Sequence, residues 1–294
     1  MEKVLVTGAS GLLGSKIISK AEKKYVVHPT HAIRSLFAKS LKMDITDKNE
    51  VKRVFGKVKP DIVIHTAAVT NVDRCENDKS YASRVNAEGT KILAEACNQA
   101  GARIVYVSTD YVFDGEKGLY TEEDMPNPVN YYGLSKLMGE KYVVELSERF
   151  VILRTSVLYG VHPEKPNFVM WVIKSLKEKK RLTVVEDHYN SPTLANNLAE
   201  VILEIFDKQL KGIYHTAGSE RISRYLFALK IAETFNFDVN LIQPIQMSEL
   251  KAWTARRPKD SSLCVDKIRK EIDTEFLGVT QGLREMNKNW VKTT

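Results

Sequence analysis

With 294 residues, 43% of them hydrophobic and 28% charged, the chain has an ordinary globular composition and room for one large sheet domain with a smaller lobe. No apolar run approaches the roughly 18 residues that a membrane helix needs, and Met1-Glu2-Lys3 leads directly into a strand-like Val4-Leu5-Val6, so the expectation is a cytoplasmic protein without a membrane partner. The formal charge of +7 is spread over dispersed lysines and arginines, which argues against nucleic acid, and three scattered cysteines, Cys75, Cys97 and Cys264, make neither a disulfide framework nor a zinc site.

Short β-branched runs at Val4–Val6, Tyr25–Val27, Ile62–Ile64, Ile104–Val107 and Val151–Leu153 predict strands. Between them, Leu12–Lys23, Lys48–Phe55, Ser80–Ala100 and Tyr132–Leu146 carry helical patterning. Strands buried on both faces and separated by such helices predict an α/β fold, a doubly wound parallel sheet of the Rossmann type. After Arg154 the rhythm breaks. A loop with Pro163 and Pro166 precedes a helix whose Phe168, Val172 and Leu176 share a face. Leu194–Phe206 and Ile213-Tyr214-His215 then return to the sheet. The expected division is 1–156 with 193–218 as a nucleotide-binding domain, and 157–192 with 219–294 as a smaller C-terminal substrate lobe.

The first strand runs into Thr7-Gly8-Ala9-Ser10-Gly11-Leu12-Leu13-Gly14, which opens the first helix. In such a loop Gly8 makes the tight turn and Gly11 lets backbone approach a pyrophosphate. Gly14 allows helix and strand to pack, and Ser10, Leu12 and Leu13 fall beside the anion at the helix N-terminus. The second strand lacks the terminal acid that accepts from an adenosine ribose, since no Asp or Glu lies between Glu22 and Asp44. Arg34 lies in that span instead and suits a 2′-phosphate, so NADPH is expected over NADH, which stays possible.

Tyr132 and Lys136 stand four apart in Tyr-Tyr-Gly-Leu-Ser-Lys and share a helix face. Carbonyl reduction needs a proton donor beside the oxygen, and an ammonium one turn from a tyrosine stabilises the phenolate left behind. Ser108-Thr109-Asp110-Tyr111 begins where the fourth predicted strand ends, so the Thr109 hydroxyl belongs in the ligand crevice.

These three motifs, TGxxGxxG, STDYVFDG and YGLSK, resemble the extended short-chain dehydrogenase/reductases. Arg154-Thr155-Ser156, the Asp187–Thr193 segment DHYNSPT and the Ala255–Leu263 segment ARRPKDSSL narrow the resemblance to the dTDP-4-dehydrorhamnose reductase family over nearly the whole chain. The resemblance implies reduction of a nucleotide-sugar's C4 ketone, with Thr109, Tyr132 and Lys136 as the catalytic set. It implies Asp44 and Ile45 beside the adenine, Ala67 and Ala68 beside the cofactor backbone, and Tyr132 and Lys136 at the nicotinamide ribose. Val72, Thr109, Asp110 and Arg257 fall on the substrate side. Apart from the resemblance, Trp253 in the loop that carries Arg257 could offer an apolar face to base or sugar. Two departures stand out: a tryptophan of well-studied members is Val157 here, and Lys16 occupies the region where some members bind magnesium at a dimer contact, so magnesium is not carried over. A homodimer remains open. The chain also resembles the regulatory subunit of methionine adenosyltransferase, which makes a cofactor-binding regulator the alternative to an enzyme.

Overall fold

The computed structural model describes residues 1–291, so 292–294 of the expected smaller lobe lie outside the described residues. Its first part alternates strand and helix: β1 (Lys3–Thr7), α1 (Leu12–Ala21), β2 (Val26–His31), β3 (Leu41–Lys42), α2 (Lys48–Val58) and β4 (Ile62–His65). Then come α3 (Val72–Asn77), α4 (Lys79–Ser83), α5 (Gly89–Ala100), β5 (Arg103–Thr109), α6 (Tyr131–Leu146) and β6 (Phe150–Thr155). The later part holds β7 (Leu158–Tyr159), α7 (Phe168–Lys177), β8 (Leu182–Val185), β9 (Tyr189–Asn190), β10 (Thr193–Leu194), α8 (Ala195–Asp207) and β11 (Gly212–His215). It closes with β12 (Ile222–Ser223), α9 (Arg224–Thr234), β13 (Ile242–Ile245), α10 (Asp266–Arg269) and α11 (Val279–Val291).

Seven strands form one parallel sheet in the order β11-β6-β5-β4-β1-β2-β3. The order reverses between β1 and β4, and at such a switch point the loops beyond the strand ends part to leave a crevice. One face buries Ile17 and Ile18 of α1 with Leu198, Ile202 and Ile205 of α8. The other buries Val51 and Val54 of α2, Leu93 of α5 and Val143 of α6. A separate core joins α7, α9 and α11 through Val172, Leu176, Phe227, Ile231 and Leu283. Leu263, Val265, Ile268, Ile272 and Phe276 pack into the α1–α8 core, so this stretch of the expected smaller lobe lies against the sheet.

Three local expectations change. The second strand runs on through Pro29 to His31. Its Val26 N–H donates toward β1, and by strand alternation the missing Pro29 N–H faces the outer edge, where Ser40 Oγ donates to the Pro29 carbonyl. Only the two-residue β3 covers that edge, and it is too short to have a readable pattern. The long helix expected from Ser80 to Ala100 is interrupted by a π-helical turn, Arg84–Glu88.

Candidate active site

The glycine loop is a close backbone contact between β1 and β4. Gly8 has φ +66°, and a Cβ there would meet the Ala67 nitrogen at 2.7 Å. A Cβ on Gly14 would overlap the Gly8 carbonyl oxygen. Helices α2, α6, α7 and α9 begin under side-chain caps from Asp47, Asn130, Asn167 and Ser223, whereas Gly11 leaves α1, and Leu194 leaves α8, without one, and no acid lies in the first turn of α1. A cradle that only glycine can line, ending at an uncapped helix N-terminus, fits a pyrophosphate.

A buried relay holds the facing loop. Thr90 Oγ1 donates to the Asn86 carbonyl at 2.7 Å and therefore accepts from His65 Nε2 at 3.0 Å. His65 Nδ1 then accepts from Thr7 Oγ1 at 2.7 Å, and Thr7 in turn accepts from the Ala67 N–H at 3.3 Å. Burial, helped by the Lys136 charge, holds His65 well below the usual imidazole range, so it stays neutral and the relay keeps one direction. Thus Ala67 sits across from Gly8, with Ala68 the next residue in the chain.

The other expected cofactor residues are placed as follows. Ser10 Oγ donates to the Arg34 carbonyl and accepts from the Leu36 N–H, both at 3.1 Å, tying the glycine loop to the segment after β2. Leu12 and Leu13 open α1, with Leu13 buried. Arg34 is exposed and pairs with Glu164 at 2.8 Å, so the acid absent from its own segment is supplied from far along the chain. Asp44 Oδ1 accepts from the Thr46 N–H and Oγ1, and Ile45 is buried against Gly89.

Tyr132 lies in the first turn of α6, which Asn130 caps by accepting from the Gly133 N–H at 2.9 Å. A Cβ on Gly133 would overlap the Tyr111 carbonyl oxygen, so this glycine lets the helix start press onto the turn after β5. The Tyr132 ring lies edge-on to Tyr111 at 5.9 Å. Burial pushes the Tyr132 phenol well above its ordinary range, opposed by the nearby Thr109 hydroxyl. One turn on, the Lys136 ammonium donates to the Val107 carbonyl at 2.8 Å and lies 4.0 Å from the Tyr106 ring centroid. Burial lowers Lys136 to about 7, against the opposing charge of Glu140. Thr109, Tyr132 and Lys136 are therefore brought together where β5 ends.

Sequence reasoning passed over the groups that brace this set. Glu140 is one turn beyond Lys136 on the same helix face. It accepts from Ser108 Oγ at 2.5 Å and takes the Arg154 guanidinium in a fork, with Nη2 at 2.7 Å. The α6 periodicity could have flagged it. Asn86 lies in the π-helical turn, where it accepts from the Val69 N–H and donates to Val69 O and Ser135 Oγ. Nothing in the local pattern announces that turn.

On the substrate side the structure departs from two expectations. Asp110 is 3% exposed, and its carboxylate accepts from Thr109, Ser156 and Ser261 at 3.0, 2.8 and 2.6 Å. Burial raises its pKa while those hydroxyls lower it. It is a buried tie between β5, β6 and the C-terminal loop rather than an open contact. Arg257 is not free either: it grips Asp73 bidentately at 2.7 and 3.1 Å, and its guanidinium lies 4.9 Å from the Trp253 ring. Burial opposes the charge on Asp73, yet hydrogen bonds from Arg257, Ala255 and Thr254 keep its carboxyl below the usual range. Val72 begins α3 next to Asp73 and is half-buried. Val157 has φ +44°, a strained backbone for a β-branched residue directly after Ser156.

Among the described residues no cluster of His, Cys, Asp or Glu could hold a metal, and no helix is long and apolar enough to cross a membrane.

The RmlD substrate binding domain family matches residues 1–291. A dTDP-4-dehydrorhamnose reductase of Aggregatibacter actinomycetemcomitans is 36% identical, with 92% of each chain covered. The methionine adenosyltransferase 2 subunit beta of Pongo abelii is 31% identical, covering 99% of this chain and 90% of that one. Among solved structures, the dTDP-4-dehydrorhamnose reductase of Bacillus anthracis in complex with NADP superposes with TM-score 0.90 at 35% identity, covering 98% and 99% of the two chains. With its glycine cradle, its Thr-Tyr-Lys set and these matches along its length, the chain belongs to the dTDP-4-dehydrorhamnose reductase family.

Proposed function

We propose that the protein is an NADPH-dependent reductase of a nucleotide-activated keto-sugar, acting on the C4 ketone of dTDP-4-dehydro-L-rhamnose. The observation that carries the reading is the start of α6, which bears Tyr132, pressed onto the turn that follows Thr109 at the carboxyl end of β5, with Lys136 buried one turn beyond and donating to the Val107 carbonyl. Gly8, Ser10, Gly11, Leu12 and Leu13 would hold the pyrophosphate, Ala67 and Ala68 the opposite edge, Asp44 and Ile45 the adenine, and Arg34 the 2′-phosphate. Bound there, NADPH supplies the hydride.

The chain's own residues then handle the oxygen. Because burial keeps the Tyr132 phenol protonated, it acts as a donor to the keto oxygen as negative charge develops there. Thr109 would give a second hydrogen bond to that oxygen by turning its hydroxyl away from Asp110, to which it donates in the structure. The Lys136 ammonium stabilises the phenolate left behind, and Glu140 keeps part of its charge in a buried site. Arg257 grips the sugar's diphosphate once it is released from Asp73, so substrate and Asp73 compete for one guanidinium.

A second reading, an NADP-binding regulatory subunit, rests on the subunit beta relatives, which align over 99% of this chain, and on the missing tryptophan at Val157. The test is NADPH oxidation with the dTDP-keto-sugar, for the parent and Tyr132→Phe. The expected result is turnover that falls about 10²–10⁴-fold in the variant while NADPH affinity holds. A folded, NADPH-binding parent without turnover that co-purifies with a methionine adenosyltransferase establishes the second reading instead.

A further inference from the structure

The crevice opens at the carboxyl ends of the strands, and the opposite edge of the sheet carries a bowl of its own. It encloses about 520 Å³ and is lined by Glu2, Lys24, Tyr25, Ile62, Arg103, Arg149, Phe206, Asp207 and Lys211 among others. Its floor is apolar: Tyr25, Ile62 and Phe206 are each at most 6% exposed, and the rings of Tyr25 and Phe206 meet edge to face. Set into that floor is Arg103, the first residue of β5, only 7% exposed and with its Nη2 atom lacking any hydrogen-bond partner.

A buried guanidinium nitrogen without an acceptor is costly. One structural explanation is that Arg103 caps the helices ending there, but their carbonyls are already taken. Ala21 of α1 accepts from the Lys24 and Tyr25 N–H groups, and Glu204, Ile205 and Phe206 of α8 accept from the Lys208, Leu210 and Gln209 N–H groups. The cations of the rim are unevenly used. Lys24 pairs with Asp207, which also accepts from the Tyr25 hydroxyl, and Arg149 donates to the Gly101 carbonyl. Among the lining side chains Lys24, Arg103, Arg149 and Lys211 face only Glu2 and Asp207, a side-chain surplus of two positive charges, and Met1 with its terminal ammonium also lines the bowl. Burial and the Arg149 charge both work against the Arg103 guanidinium, with Glu2 the first opposing group.

We infer that this bowl is a second ligand site, for an organic phosphate whose dianion meets Arg103, Arg149 and Lys211 and whose apolar body lies on Tyr25, Ile62 and Phe206. A positive surplus suits the dianion of a phosphate monoester, and a guanidinium fork matches its oxygens. The volume lies within the range of small-molecule pockets, well above what inorganic phosphate fills. The site lies at the far end of β5 from Thr109, so the inference does not depend on the proposed reaction.

Phenyl phosphate titrated calorimetrically into the protein saturated with NADP, which keeps the probe out of the cofactor cradle, tests it. The expected result is saturable one-to-one binding, with inorganic phosphate weaker because it leaves the apolar floor uncovered. Arg103→Gln should weaken phenyl phosphate by about tenfold or more, the value of a charge-assisted hydrogen bond. Lys211→Glu, on the exposed rim, should weaken it as well and stands in if Arg103→Gln does not fold. Absence of saturable binding to the parent, affinities unchanged in the folded variants, or inorganic phosphate binding as tightly as phenyl phosphate would each overturn the site.

Discussion

The two walls of the crevice are built differently. The wall proposed for the cofactor is mostly backbone: Gly8 against Thr66 and Ala67, Gly14 against Gly8, and an uncapped helix start. The substrate wall is side chains from distant segments: Asp73 with Arg257, and Asp110 with Ser156 and Ser261. The first wall stands ready for an anion, because glycine and free N–H groups need no rearrangement. The second is closed on itself by an ion pair and must exchange partners to bind. On the proposed reading, such a site would bind its cofactor through shape and its substrate through competition.

Lys136, which stands between the two walls, should show the largest effect, and it is read in stability rather than rate. Its pKa falls from 10.5 unfolded to about 7 folded, so the folded state resists the proton that the unfolded chain accepts. The resulting penalty is absent above about pH 10.5, grows as pH falls, and is complete below about pH 7. Denaturant melts of Lys136→Met against the parent should show the variant gaining relative stability over that window and levelling off below it. A pH-independent difference would remove the buried lysine from the account.

The cofactor wall should break next. Gly14→Ala puts a methyl group into the Gly8 carbonyl, a strain of about 1–3 kcal/mol, which should weaken NADPH by up to about a hundredfold in a direct titration. Unchanged affinity would show that the cradle is not the pyrophosphate site. On the substrate wall, Arg257→Ala should raise KM for the keto-sugar by about tenfold with little change for NADPH, less than a free anchor would cost because Asp73 already holds the guanidinium. Asp73→Asn sharpens the comparison, since weakening the competitor should lower that KM severalfold. If both variants raise it, the pair supports the wall and does not compete with substrate. Arg34→Ala should matter least, weakening NADPH about two- to fivefold and NADH not at all, because this exposed arginine already has Glu164 as a partner.

The same contrast explains what was legible in the sequence. The glycine loop reads out because its spacing, the preceding strand and the following helix are all local. Tyr132 and Lys136 read out because a single helix face carries them. Glu140 continues that face, but its partners Ser108 and Arg154 come from two strands whose adjacency exists only in the sheet. Asp73 and Arg257 are 184 residues apart, and no local pattern links them. Asn86 escaped for another reason: a helical pattern does not show where a π turn inserts a residue, yet that insertion places its amide on Val69 and Ser135. The β-branched runs likewise announced the sheet but not β3, whose two residues are too few to make a run.

The proposed reaction is tested most directly by following the hydride. Incubated with dTDP-4-dehydro-L-rhamnose and NADPH deuterated on its transferable nicotinamide position, the parent protein should yield dTDP-L-rhamnose carrying one deuterium at C4, read by mass spectrometry and NMR of the product. Failure of a folded, NADPH-binding protein to place deuterium on C4 would contradict the reductase account and give the regulatory reading precedence.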